Sequence, residues 1–231
     1  MCSRFNPVRL ETQLRRHFNA SLTNAPDLEL KRDVFPGHAA PFVRRPREWG
    51  CGDEAVPPRE AVIGLFGLLP HWAKDEKLTR STYNARSETA SVKPSFRDAW
   101  KKAQHCIIPA EAFYEPDWRS GKHVPTRIAR ADGRPHGIAG LWSTWRGLGG
   151  QEVLSFTMLT VNAGDHAVMR DYHRPGDEKR MIVLLREDDY DAWLDASAQH
   201  SMDFMRLSAP ESLNAGAEVR AVPEKSGSIL F

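Results

Sequence analysis

The sequence predicts an α+β fold, a single domain whose barrel-like, mainly antiparallel curved β-core is flanked by short helices. Three observations point there. Short runs rich in β-branched or aromatic residues follow one another after residue 105, separated by Gly, Pro or charge clusters. Helical periodicity is confined to three short stretches, grouped rather than alternating with the strands. With 41% hydrophobic and 27% charged residues among 231, the composition is that of a folded chain able to bury one substantial core.

In chain order, Asn6-Pro7 followed by Leu10, Leu14 and Phe18 predicts a helix directly after the N-terminus, capped by Asn6 with Pro7 at its first position. From Phe35 to Arg59, Pro36, Pro41, Pro46, Pro57 and Pro58 describe an extended surface loop with a short strand at Pro41–Arg44. Only about 35 residues precede it, too few for a core of their own, so it is no linker and residues 1–231 read as one domain. Pro94–Gln104 places Phe96, Ala99, Trp100 and Ala103 on one helical face and Arg97, Lys101 and Lys102 on the other. Strands are expected at Cys106–Pro109, Ala112–Glu115, Thr126–Ala129, Gly137–Trp145, Val153–Val161 and Met181–Leu185. A helix follows at Glu187–Ala196, with Asp188 and Asp189 in its first turn, and a last strand at Glu218–Val222.

Charge excludes some classes of function and leaves others open. The net charge of +2 gives no general attraction to nucleic acid, but residues 1–50 and 74–102 each carry +4 and residues 186–231 carry −5. A polyanion would meet the N-terminal half, although solvated faces of unequal charge are commonplace. No window approaches the roughly 18 apolar residues of a membrane span, and the start is charged without an apolar stretch, so no leader and a cytoplasmic location are expected. Cys2, Cys51 and Cys106 form no CxxC pair, and the nine histidines form no HxxxH or HExxH, so neither a disulfide nor a metal site is expected. GxSxG, GxGxxG and P-loop motifs are absent, which removes the commonest hydrolase, dinucleotide and nucleotide readings and leaves no cofactor implied.

Four places could carry chemistry, each unremarkable alone. Cys2 follows the initiator Met, and a small residue there lets an aminopeptidase expose an amino-terminal cysteine, with amine and thiol on adjacent carbons. An aldehyde would meet the amine as a Schiff base, which the thiol closes to a thiazolidine. The polar stretch Ser81–Ala90 offers Asn84 as donor and acceptor, Arg86 as a bidentate phosphate fork and Glu88 as a carboxylate to hold that arginine. Strand alternation puts Phe113 and Glu115 on one face, where an apolar environment would raise a carboxyl pKa into the range of acid–base work. His173 lies in a turn-forming Asp171–Pro175 segment before a strand.

Together, Met-Cys with Arg4-Phe5, Trp72-Ala-Lys-Asp75, Asn84-Ala-Arg-Ser-Glu-Thr89, Cys106-Ile-Ile-Pro-Ala-Glu-Ala-Phe-Tyr-Glu115 and a late His before a strand resemble the SRAP (SOS-response-associated peptidase) family, over Cys2 to about Val222. The resemblance implies shielding of abasic sites in single-stranded DNA, with Cys2 as cross-linking nucleophile and Asn84, Glu115 and His173 as the other catalytic-site residues. It also implies Arg4 and Arg86 as phosphate contacts, Trp72 as a stacking platform for a base and Thr160 as a residue lining the pocket. The family fold it implies is one α+β domain with a barrel-like core and a basic cleft. Single-stranded DNA carrying abasic sites is the expected partner of a monomer, with no membrane, metal or cofactor. Three departures stand out. Ser3 occupies a usual Gly position, the segment Arg174-Pro-Gly-Asp-Glu-Lys-Arg-Met181 after His173 is longer than the usual His-x-Arg-Met, and Glu115-Pro-Asp-Trp118 displaces the usual Glu-Trp tryptophan. Two other functions remain open: an N-terminal-nucleophile cysteine peptidase, acting on its own Met1 or on other chains, and a noncatalytic single-strand-binding module.

Overall fold

The computed structural model describes residues 2–23, 29–147 and 149–217. In chain order the elements are β1 (Phe5–Pro7), α1 (Glu11–Phe18), β2 (Ser21–Leu22), β3 (Ala39–Arg44), β4 (Glu60–Phe66), α2 (Thr79–Thr82), β5 (Asn84–Arg86), α3 (Ser87–Ala90), α4 (Arg97–Lys101), β6 (His105–Asp117), β7 (Val124–Arg130), β8 (His136–Arg146), β9 (Glu152–Asn162), β10 (Arg180–Ile182), β11 (Leu184–Leu185), α5 (Tyr190–Asp195) and β12 (Leu213–Ala217). Strands β8, β9, β4, β3 and β6 pair in that order, and β6 pairs back onto β8, so five strands close a barrel. Within the ring only β4 and β9 run parallel. The mainly antiparallel, barrel-like α+β domain expected from the strand-rich sequence is therefore the observed architecture, and among the described residues no helix is long and apolar enough to cross a membrane.

Closure has a packing cause. Phe42, Phe66 and Phe156 project inside with centroids 5.5–5.6 Å apart across the pairs that include Phe156, and Phe5 meets Phe66 edge-on at 5.2 Å. All four are fully buried, each worth about 2–3 kcal/mol of transfer free energy. Gly67 directly follows β4 at φ 120°, and a Cβ there would strike the backbone of Thr79, so only glycine lets α2 approach the barrel.

The ends of elements differ from the sequence expectations where side chains have better partners. Asn6 caps no helix: its Nδ2 donates to the Arg32 carbonyl and to Asp33 Oδ1, and Phe5–Pro7 instead forms β1 against β6. A register shift between Asn6 and Pro7 accommodates the proline, and α1 begins at Glu11 with no side-chain cap. Cys106–Pro109 and Ala112–Glu115 are one continuous strand, β6, because β8 pairs with its first half and β1 and β7 with its second. The Pro94–Gln104 helix shrinks to α4, and Met181–Leu185 splits at Val183, whose N–H donates to Leu159. Ser81–Ala90 is no loop but α2, β5 and α3 in succession, since β5 gains parallel pairing with β9. The expected strand at Glu218–Val222 lies outside the described residues; β12 ends at Ala217.

Candidate active site

Strand β1 lays the N-terminus along β6. Phe5 pairs with Phe113, and the Tyr114 N–H donates to the Arg4 carbonyl at 3.0 Å. Cys2 is thereby carried into the core, with its thiol donating to the same carbonyl at 3.4 Å. Glu115 shares a face of β6 with Phe113 and is buried. Asp117 then bridges Tyr172, and the His173 N–H donates to the Pro116 carbonyl at 2.9 Å, which draws a segment distant in sequence onto the end of β6.

His173 sits in the left-handed region at φ 65°, a conformation costing a non-glycine residue about 1–2 kcal/mol, and its ring is held from two sides. Nε2 contacts the Arg180 carbonyl at 2.8 Å, and Nδ1 lies 3.4 Å from Glu115 Oε2. A carbonyl only accepts, so Nε2 carries the proton and Nδ1 of the neutral ring faces the carboxyl as an acceptor. Burial pushes Glu115 up to about 7 and holds His173 below the ordinary imidazole value. The protonated carboxyl of Glu115 can therefore face the lone pair of Nδ1. Burial, and then the charge of Glu115, push the Cys2 thiol up to about 12, so it does not ionise unaided.

Strand β5 brings the remaining polar groups. Its parallel register sets Asn84 beside Met158 and Arg86 beside Thr160 of β9, and alternation puts Asn84 and Arg86 on one side with buried Ala85 on the other. Asn84 donates through Nδ2 to the Tyr83 carbonyl, while its buried Oδ1 has no hydrogen-bond partner among the described residues. Thr160 is buried, its hydroxyl donating to the Ala85 carbonyl and accepting from Arg180. Arg4 is committed in this state to Asp33 at 2.8 Å and stacks over the Tyr114 ring at 3.9 Å. Trp72 is 44% exposed in the turn after β4, next to His71, which reaches Asp98 of α4 at 3.3 Å.

Sequence reasoning misassigned one partner and missed two residues. Glu88 does not hold Arg86. It clamps the buried guanidinium of Arg180 through both oxygens, at 2.6 and 2.9 Å, and Arg86 pairs instead with Glu178 at 2.8 Å. Nothing local in the sequence marks the Arg180 guanidinium as buried, yet its carbonyl fixes the tautomer of His173. Tyr83 lies inside the same polar stretch as Glu88. Its phenol is raised by burial and then by the charges of Cys2 and Glu115, and its ring meets Phe66 edge-on at 5.8 Å. Its only sequence signal is adjacency to Asn84.

The family model described as SOS response associated peptidase (SRAP) matches residues 1–228. The abasic site processing protein YoqW of Bacillus subtilis is 36% identical over 132 residues, covering 56% of this chain and 54% of that protein. The abasic site processing protein HMCES of Gallus gallus is 25% identical over 167 residues, covering 63% of this chain and 48% of that one. The chain thus spans about half the length of these relatives. A crystal structure of a protein from Bordetella bronchiseptica superposes with a TM-score of 0.83 at 44% identity, covering 94% of this chain and 100% of that one. Another, from Bacteroides thetaiotaomicron, has a TM-score of 0.75 at 19% identity, a likeness of fold alone, over 95% of this chain and 93% of that one.

Proposed function

The chain belongs to the SOS response associated peptidase (SRAP) family, and on that premise we propose that it captures abasic sites in single-stranded DNA covalently through Cys2. The observation that carries the proposal is the convergence of Cys2, Glu115 and His173 in one buried cluster, a thiol at the N-terminus with a carboxyl raised to about 7 that faces an imidazole at 3.4 Å. The names of the relatives, abasic site processing proteins, agree with it.

The chemistry follows from those groups. Removal of Met1 frees the Cys2 amine. An abasic site opens from its hemiacetal to an aldehyde at C1′, the amine adds to that carbon, and water leaves to give an imine. Glu115 in its protonated form delivers a proton to the departing oxygen, and as carboxylate it takes one from the amine. Because the thiol is held un-ionised, ring closure passes its proton to the imine nitrogen through Glu115 as the sulfur bonds to C1′. His173 holds the carboxyl in place through its unprotonated Nδ1, which can accept from the protonated form of Glu115. The unsatisfied Asn84 Oδ1 accepts from the new amine or from a sugar hydroxyl. Arg4 and Arg86 supply phosphate charge, Trp72 a stacking face, and Thr160 supports β5 from behind.

Incubation with a single-stranded oligonucleotide bearing one abasic site, followed by a denaturing gel, tests this. A heat-stable shifted band is expected with the intact chain. Cys2→Ser keeps amine and hydroxyl but cannot close the sulfur ring, so it should leave only an imine trapped by borohydride. A fully stable adduct with Cys2→Ser overturns the thiol step. No band from protein whose mass shows Met1 removed brings forward the peptidase that the family's name describes, or a noncatalytic single-strand binder.

A further inference from the structure

The segment between His173 and Arg180, longer than the usual His-x-Arg-Met spacing, supplies a carboxylate to the same face of the site. Glu178 extends one oxygen to Arg86, at 2.8 Å, and the other to Arg180, at 2.7 Å. Arg180 is buried and already satisfied by Glu88 and by Thr160, so it acts as the fixed anchor. Arg86 is half exposed and projects from β5 on the same side as Asn84, two residues from the proposed sugar contact. A carboxylate and a phosphodiester offer a guanidinium the same two-oxygen edge.

We propose that Glu178 is a built-in anion that holds Arg86 while no DNA is bound, so that a backbone phosphate must displace it to engage the site. This rests on the reading of Arg86 as a phosphate contact. Arg86 and Glu178 together present no net charge to an approaching strand, which lowers the affinity for any single strand and leaves retention to the covalent step. A phosphate that displaces Glu178 leaves it anchored on Arg180, so the exchange costs one exposed ion pair and no rearrangement of the barrel.

The test is non-covalent binding of an oligonucleotide without an abasic site, measured against salt for the intact chain, Glu178→Gln, Arg86→Ala and the double variant. Glu178→Gln should bind about threefold tighter at low salt, the worth of one exposed pair. Its logarithmic salt slope should be steeper by up to about 0.7, because the intact chain gives up a salt-sensitive ion pair in exchange for the phosphate contact and the variant does not. In the Arg86→Ala background the same substitution should change little. An equal gain in both backgrounds means that Glu178 acts only as diffuse negative charge and overturns the proposal. Arg86→Ala that weakens binding together with Glu178→Gln that does not strengthen it also overturns the proposal and leaves the phosphate reading standing. Arg86→Ala without effect removes both.

Discussion

Strand β6 buries a titratable side chain near each end, and the two ends behave differently. At its start His105 is stacked on Trp193 at 3.9 Å, with Nε2 on the Ser201 hydroxyl. Burial pushes its pKa down to about 4, so the ring is neutral at every physiological pH and serves as packing. Near its other end Glu115 is buried as deeply, yet it lies 3.4 Å from an imidazole and titrates at about 7. Burial disfavours the charged form of both, so it leaves the base neutral well below pH 7 and brings the acid to its titration point near 7, and that contrast separates Glu115 from His105.

The largest expected effect that would break this comparison comes from Glu115→Gln. Removing the proton carrier should slow adduct formation by about 10²–10⁴-fold, measured in single-turnover gel assays, while the fold survives. A rate within a few-fold of the intact chain would place Glu115 with His105 as a packing residue. The reciprocal substitution, His105→Ala, loses the Trp193 stack and the Ser201 hydrogen bond. It should cost about 2–4 kcal/mol in denaturant unfolding yet leave the capture rate of the folded protein unchanged.

The pH dependence of stability sharpens the contrast because the signs are opposite. Glu115 is raised from 4.5 to about 7, so the folded state holds its proton longer than the unfolded chain. Its contribution is fully present below pH 4.5 and is lost as pH rises through 7, by about 3 kcal/mol at most. His105 is lowered from 6.5 to about 4, so its contribution is present above pH 6.5 and is lost as pH falls through 4. Glu115→Gln should therefore gain stability relative to the intact chain at pH 8 and not at pH 4. Equal differences at both would show that Glu115 is not raised. The smallest effect is expected from Tyr83→Phe, less than about tenfold on capture with stability unchanged. A loss matching that of Glu115→Gln would bring the phenol into the proton path.

Legibility in the sequence followed how local each feature is. The alternation of Phe113 and Glu115 and the strand-rich second half are carried by neighbours in the chain, and the structure holds them as read, whereas the β5 strand at Asn84–Arg86 depends on its pairing with β9. Asn6 was misread as a helix cap because its partners, Arg32 and Asp33, are remote in sequence. Glu88 was given the wrong arginine for the same reason, since Arg180 reaches it from the far side of β9.

By itself the sequence determined the α+β class, the alternation of faces along β6 and which candidate groups were present, a cysteine, a carboxylate, an asparagine and a histidine. Only the tertiary structure decided that β6 closes onto β8, that His173 presents Nδ1 to Glu115, that Glu115 titrates near 7 and that Arg86 is held by Glu178. Residue type and alternation are local properties of the chain. Burial and electrostatic proximity sum over atoms from distant segments, and they exist only after β1, β5, β6 and the strand following His173 have met.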